Sequence, residues 1–367
     1  MRTLIAALCA ALVLIIGTSP AQASPRMYQC LIDEAVRSPV PGAILQVDGP
    51  GGRFTDASGK FQRGGRDLRV SDGFRTASST KTMTAAVVLK LVEQGKLGLD
   101  DLILKYLDPK LIARLPYGSE ITVRQLLTHT SGVFDYVKDA SWYDYVLAHP
   151  QKTWSPTELV TWAIEHGTPY GKPGEVYRYS DSGYVLAALV AQDAAGMPLH
   201  RLYRELLLEP LGMKHTYLEY WERPLGPMAH PYLGDLDTHG FNPTFDTFGG
   251  GGLVSTAGDL TTFIRGLFEG KVFKDPRTLK TMLTITPQSE KAGTPYGMGI
   301  ETETVAGETI YGHGGFFGSF NYYSPKHRVS VTGTITQSVA VAFGPWKKLV
   351  HSTFTHAFGK PVTCPAT

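Results

Sequence analysis

Charge is sparse in this chain. Only 19% of its 367 residues are charged, and 35 basic against 33 acidic side chains leave +2. That balance excludes the basic footprint of a nucleic-acid-binding protein. Cysteine is scarcer still, at three residues, with no C-x-x-C, and the eleven histidines are scattered without ligand spacing, so neither a metal centre nor an organic cofactor is expected. The G-x-S-x-G elbow, the Walker loop, the G-x-G-x-x-G turn and H-E-x-x-H are all missing, which removes the commonest hydrolase, nucleotide and zinc-protease signatures. Past the N-terminus no apolar run reaches the roughly 20 residues that span a bilayer. What is present is 43% apolar residues, with 40 glycines and 24 prolines placed without period. Such a chain is globular and loop-rich, and of a length for two domains or one large domain with an insertion.

The N-terminus carries a pattern of its own. Arg2 precedes an apolar run from Leu4 to Ile16, followed by the small-residue signature Ala21-Gln22-Ala23. A charged start, a short apolar stretch and an A-x-A site read as a signal peptide over 1–23, cleaved after Ala23. The expected protein is therefore secreted or periplasmic, with no transmembrane segment after cleavage. Cys9 leaves with the leader, and Cys30 and Cys364 remain near opposite ends of the mature chain. An exported chain suggests a disulfide between them, which would close a long loop and stabilise by about 4 kcal/mol in the entropic model. Two buried thiols are the alternative.

Strands and helices follow from periodicity and punctuation. Gly42 to Val47 and a second stretch through Phe61 read as a hairpin, and Thr80 to Gln94 as a helix stopped by Gly95. Ser155-Pro156-Thr157-Glu158 is a capping box with proline at the first helical position, opening a helix that ends before Gly167. Ser182 to Ala195 is a nearly all-apolar, buried helix; further helices are expected over 122–127, after Pro198, and over 259–268 and 275–283. From about residue 297 the pattern changes to strands, over 298–305, 308–311, 319–323 and 329–336, with a closing helix from Trp346 to Phe358. The expected fold is α+β: an antiparallel sheet built from both termini and flanked by helices, carrying an inserted, mostly helical domain. The expected boundaries are 24–105 and 245–367 for the sheet domain and 106–244 for the helical one.

The chemistry gathers at Ser78-Ser79-Thr80-Lys81, an S-x-x-K at a helix mouth. Serine and lysine three apart share one face, so the amine can take the hydroxyl proton while the helix N-terminus offers N–H groups to an oxyanion. Spacing alone also allows a capping serine beside a solvated lysine. The wider sequence resembles the penicillin-recognising serine hydrolases: class C β-lactamases, D,D-carboxypeptidases and related esterases. The resemblance runs through Phe74 to Lys81, Leu89 to Leu99, Ile121 to Gly132, Tyr177 to Tyr184, Pro210 to Thr216, Gly249 to Phe263 and Gly312 to Gly318.

The resemblance implies that Ser78 is the acylated nucleophile, Lys81 its proton partner, and Tyr179 the tyrosine that relays protons, its phenolate favoured by Lys81. His313-Gly314-Gly315 takes the place of the strand motif edging the site, and the backbone N–H groups of Ser78 and Phe316 form the oxyanion hole. The run Gly249 to Gly252 is expected to let backbones pass closely. Two departures matter. Asp181 stands where asparagine is commonest; it can hold Lys81 charged, and so shift the base role to Tyr179. His-Gly-Gly lacks the lysine charge that grips a substrate carboxylate. Glu301 and Glu303 lie on the preceding strand: turned outward they are silent, turned inward they repel a carboxylate and attract an amine.

The sequence thus points to a serine hydrolase working through an acyl-enzyme on a small-molecule or peptide substrate. D-alanyl-D-alanine carboxypeptidase or D-amino-acid peptidase activity leads, followed by carboxylesterase, then β-lactamase. A non-catalytic binding protein of the same fold is the reading from another class. Removing Lys81 or Tyr179 is expected to leave the melting temperature near that of the wild type.

Overall fold

The computed structural model describes residues 24–37 and 39–364; the expected leader, 1–23, lies outside them. Helix α1 (Pro25–Ala35) opens the chain, followed by strands β1 (Gly42–Gly49), β2 (Gly52–Gly59) and β3 (Phe74–Arg75). Helix α2 (Thr80–Glu93) leads into a helical stretch: α3 (Pro109–Arg114), α4 (Val123–Leu127), α5 (Ala140–Ala148), α6 (Pro156–His166), α7 (Asp181–Ala195), α8 (Leu199–Tyr203) and α9 (Glu209–Leu211). Short strands β4 (Tyr217–Leu218), β5 (Tyr232–Leu233), β6 (Leu236–Asp237) and β7 (Leu253–Ser255) precede α10 (Ala257–Phe268), α11 (Pro276–Met282) and α12 (Pro287–Lys291). The chain closes with β8 (Glu301–Val305), β9 (Glu308–Gly314), β10 (Ser319–Ser324), β11 (Val329–Ile335) and α13 (Val339–Ala357).

The main sheet has the order β2-β1-β11-β10-β9-β8, with every pairing antiparallel. Its centre joins the two ends of the chain: β1 lies against β11 with Val47 opposite Val331. None of its strands falls within 106–244, where the helices concentrate. The fold is therefore the α+β arrangement expected, with a sheet from both termini and helices inserted between. On one face α1 and α13 bury Tyr28, Leu31, Ile32, Leu349 and Phe354 against Leu45, Phe320 and Val331. The other face meets a larger apolar cluster that runs from Ile44 through Met83 and Val87 of α2 to Leu126, Leu186 and Phe263. Burial of these faces is the main driving force for the fold.

Three details differ from expectation. Helix α1 is an addition: Ser24 and Pro25 form its start, and residues 28, 31, 32 and 35 give it one apolar face. Strand β8 begins at Glu301 because Met298 and Gly299 bond to Met282 and Leu127 instead of to β9. Helix α13 begins at Val339, where Ser338 caps Ala340 N–H, and bends at Ala342 so that Pro345 starts a second helical segment, a position proline tolerates. A disulfide joins Cys30 of α1 to Cys364, with Cα atoms 6.2 Å apart. Among the described residues no helix is long and apolar enough to cross a membrane.

Candidate active site

A cleft of about 730 Å³ opens between the helical stretch and the β8–β9 edge of the main sheet. Ser78, Tyr179, Asp181, His313, Gly314, Gly315 and Phe316 all line it. The chain thus brings together residues separated by more than two hundred positions, and each arrives on a defined element.

Ser78 sits in a 3-10 turn, Ala77–Ser79, immediately before α2. Ala77 has φ of 43°, a left-handed conformation that side chains avoid, so the turn stores backbone strain where it presents Ser78 to the cleft. The turn is pinned from two sides. Thr76 Oγ1 donates to Leu253 O at 2.8 Å, and Ser319 Oγ donates to Thr76 O at 2.6 Å. Ser79 Oγ donates to His313 O at 2.9 Å, tying the turn to β9. Gly315 passes so close that a Cβ there would stand 2.2 Å from Ser319 Oγ and 2.3 Å from Thr76 O. Gly315 N–H is committed to Ser319 O at 2.9 Å, and the next residue, Phe316, lies on the cleft wall beside Ser78.

Lys81 is fully buried on the first turn of α2, and its ammonium has three partners. It reaches Ser78 Oγ at 3.0 Å, Gly250 O at 2.7 Å and Asp181 Oδ1 in a tight ion pair. Three donors are thereby used by three acceptors. The glycine run makes this possible: a Cβ on Gly250 would lie 2.8 Å from Asp181 Oδ1, so only glycine brings that carbonyl to the lysine. Asp181 is the first residue of α7, and Asp135 Oδ1 accepts its backbone N–H at 3.0 Å. Asp135 comes from the loop after α4, which also supplies His129 beneath the site. His129 Nδ1 accepts from Ser180 N–H at 3.1 Å, and its ring packs on Tyr179 with centroids 4.2 Å apart.

Lys81 Nζ lies 4.8 Å from the centre of the Tyr179 ring. The phenol faces Ser78 but completes no hydrogen bond of good geometry. Burial and the Asp181 charge hold its pKa well above the usual value, and Ser78 offsets only part of that. The expectation that Lys81 favours the phenolate is therefore corrected. Its charge is matched by Asp181, and the resting tyrosine is a neutral phenol. Two other carboxyls are lifted by the same crowding. Desolvation and the Asp181 charge raise Asp135, and they push Asp246 up to about 7.

On the opposite wall His313 is buried, and burial together with the Lys81 charge pushes its pKa down to about 3. The imidazole is neutral; Nδ1 donates to Gly314 O at 2.6 Å and Nε2 accepts from Tyr296 Oη at 3.0 Å. Glu301 and Glu303 settle the question of their orientation: both line the cleft. Tyr322 Oη from β10 lies 2.6 Å from Glu301 Oε2 and 3.1 Å from Glu303 Oε1. Among the described residues no cluster of three or more His, Cys, Asp or Glu could hold a metal ion.

Asp135, Asp246, Tyr322 and the Gly250 carbonyl were absent from the sequence-derived candidates. Asp135 had one local signal, its place just after the His129 to Gly132 segment, and Gly250 another, the run Gly249 to Gly252; Asp246 and Tyr322 have none.

Comparison with known proteins agrees with this geometry. The profile of the Beta-lactamase family matches residues 31–348. The putative penicillin-binding protein PbpX of Bacillus subtilis (strain 168) is 28% identical over 62% of this chain, a match spanning only 53% of that relative. D-alanyl-D-alanine-carboxypeptidase/endopeptidase AmpH of Escherichia coli (strain K12) is 25% identical over 80% of this chain and 78% of its own length. Among solved structures, a D-stereospecific amidohydrolase from Streptomyces sp. superposes with a TM-score of 0.78 at 28% identity, covering 90% of this chain and 98% of that one.

Proposed function

Because this chain belongs to the Beta-lactamase family and is a serine hydrolase of that fold, we propose that it hydrolyses D-aminoacyl amide or peptide bonds through an acyl-enzyme on Ser78. The observation that carries the reading is the Ser78–Lys81–Asp181 chain of contacts opening onto one cleft beside a neutral Tyr179.

In this mechanism Ser78 Oγ attacks the substrate carbonyl, and its proton passes to Tyr179 Oη as the phenol gives its own proton to the departing nitrogen. The phenol thus relays without resting as phenolate, which its raised pKa disfavours. The Lys81 ammonium steadies the charge developing on Ser78 Oγ, and Asp181 and the Gly250 carbonyl hold it in place. The backbone N–H groups of Ser78 and Phe316 receive the oxyanion, a contribution of about 3–4 kcal/mol per donor. Water then retraces the path through Tyr179 to release the acid and return the proton to Ser78.

A second reading, D,D-carboxypeptidase, is favoured by the likeness to AmpH and by Lys347, an exposed cation on the cleft rim. Intact-mass analysis separates the broad alternatives. Mixed with a p-nitrophenyl ester and, separately, a fluorescent penicillin, the wild type should gain an acyl adduct that Ser78→Ala abolishes. Labelling that survives Ser78→Ala refutes the nucleophile; ester turnover without penicillin trapping favours an esterase; no label and no turnover favours a binding protein. If the N-terminal 23 residues direct export, as proposed from their pattern, the mature chain recovered from a secreting host begins at Ser24.

A further inference from the structure

We infer that the β8–β9 wall of the cleft is a subsite for a cationic amine, with Glu301 receiving the α-ammonium of the substrate. The inference rests on the proposed D-aminoacyl acyl-enzyme and adds the charge class of its substrate.

The argument begins with alternation. Glu301 and Glu303 are two apart on the edge strand β8, so both side chains share the face turned to the cleft. Their side chains keep 28% and 30% of their area exposed, which leaves them open to a ligand. Asp135, by contrast, is fully buried, and Asp181 is already paired with Lys81.

Hydrogen-bond counting comes next. Tyr322 Oη stands between the two glutamates, yet a phenol has one proton to donate. Glu303 has further partners on α13: His351 Nε2 at 3.0 Å and the favourable charge of Lys347. Within ion-pair distance Glu301 has only His313 Nδ1, at 3.7 Å, among the described residues, and that nitrogen gives its proton to Gly314 O. Lys81 adds a favourable charge from farther off, but its three donors are already taken by Ser78, Asp181 and Gly250. Glu301 is therefore the carboxylate of this wall without a cation of its own. Its pKa, lifted to about 7 by desolvation and by Glu303, is the behaviour of a site that lacks its counter-charge.

The cleft as a whole agrees. Five carboxyl side chains, at positions 135, 181, 246, 301 and 303, line it against Lys138 and Lys347. A substrate carboxylate placed here would meet like charge from Glu301 and a histidine that carries none.

The experiment compares D-alanine p-nitroanilide, which has a free ammonium, with N-acetyl-D-alanine p-nitroanilide, and uses p-nitrophenyl acetate to report on Ser78. The wild type should prefer the free ammonium in kcat/KM, and Glu301→Gln should cut that preference about tenfold or more, chiefly through KM. Lys347→Gln, which removes a cation from the same wall, should raise it. The carboxyl must be ionised to hold the cation, so the wild-type preference should grow between about pH 5.5 and 7 and stay flat in Glu301→Gln. Over that range the α-ammonium of the substrate, with a pKa of about 7.7–8.0, stays mostly protonated. The wild type alone gives an independent check: D-alaninamide should inhibit ester hydrolysis at lower concentration than N-acetyl-D-alaninamide. Equal preference in wild type and Glu301→Gln, or equal inhibition by the two amides, overturns the subsite while leaving the serine hydrolase intact. Absence of ester turnover and of a Ser78 adduct takes down the functional reading and the subsite with it.

Discussion

The helical wall of the cleft and its strand wall handle charge in opposite ways. On the helical wall the Lys81 ammonium is fully buried and its three donors meet Ser78, Asp181 and Gly250. On the strand wall two half-exposed glutamates share one phenol, beside a histidine that stays neutral. The first wall is fixed by packing from four distant segments, so its geometry tolerates little. The second is set by a few side chains on an edge strand, so its charge can change without disturbing the reacting groups. Acyl chemistry and substrate choice are thereby placed on separable surfaces.

The strongest way to break that contrast is to remove the groups of the helical wall. Lys81→Ala and Tyr179→Phe should each lower turnover by roughly a thousandfold, within the 10²–10⁴ typical of positioned proton-transfer groups. Near-normal rates in steady-state assays would remove either residue from the mechanism. Their stabilities should diverge. Lys81→Ala leaves Asp181 without its counter-charge, a loss of about 3–5 kcal/mol, whereas Tyr179→Phe deletes a hydroxyl that faces Ser78 without completing a hydrogen bond of good geometry. The structure thus revises the sequence expectation for Lys81, and calorimetry checks it: equal melting of Lys81→Ala and wild type would mean that the pair is not locked.

Asp181→Asn is the next largest test. It keeps the shape of the helical wall and removes the charge that pairs with Lys81, so the ratio of amide to ester turnover should shift by about tenfold. Parallel loss of both activities would show that Asp181 serves the common chemistry alone.

The smallest effect concerns the surplus charge on that wall. The carboxyl of Asp246 is raised to about 7 from an ordinary value near 4, so the folded state holds its proton more tightly than the unfolded chain between those values. Its stability contribution therefore falls as pH rises through that window and is fully lost above 7. Asp246→Asn should raise the melting temperature at pH 8 by about 2–4 °C and change it little at pH 4. Equal shifts at both pH values would exclude a buried ionisation.

Much of this was legible where the signal is local. The capping box at Ser155 and Glu158 forms α6 with both reciprocal bonds, and Gly196 ends α7 in the left-handed conformation its sequence position suggests. The order of strands and helices also told that both termini feed one sheet. Local signals fell short where tertiary contacts decide: the closing helix was expected from Trp346, but α13 begins at Val339 and carries Pro345 because a bend at Ala342 restarts the helix. At the site, Ser78, Lys81, Tyr179 and Asp181 lie in recognisable motifs. Asp246 and Tyr322 do not, because their parts are set by approach of segments far apart in the chain; the glycine run around Gly250 signals a close approach but not the lysine its carbonyl meets. The inward turn of Glu301 was left open by sequence because strand alternation fixes a shared face but not which face meets the cleft.

The bond between Cys30 and Cys364 has a consequence for the covalent graph of the molecule. With its ends 334 positions apart, it turns almost the whole described chain into a closed ring. One backbone cut anywhere between those cysteines opens the ring without producing two molecules, and fragments separate only after a second cut or reduction. A protease that cuts one exposed loop would leave the active site held by the same covalent body that carried it before.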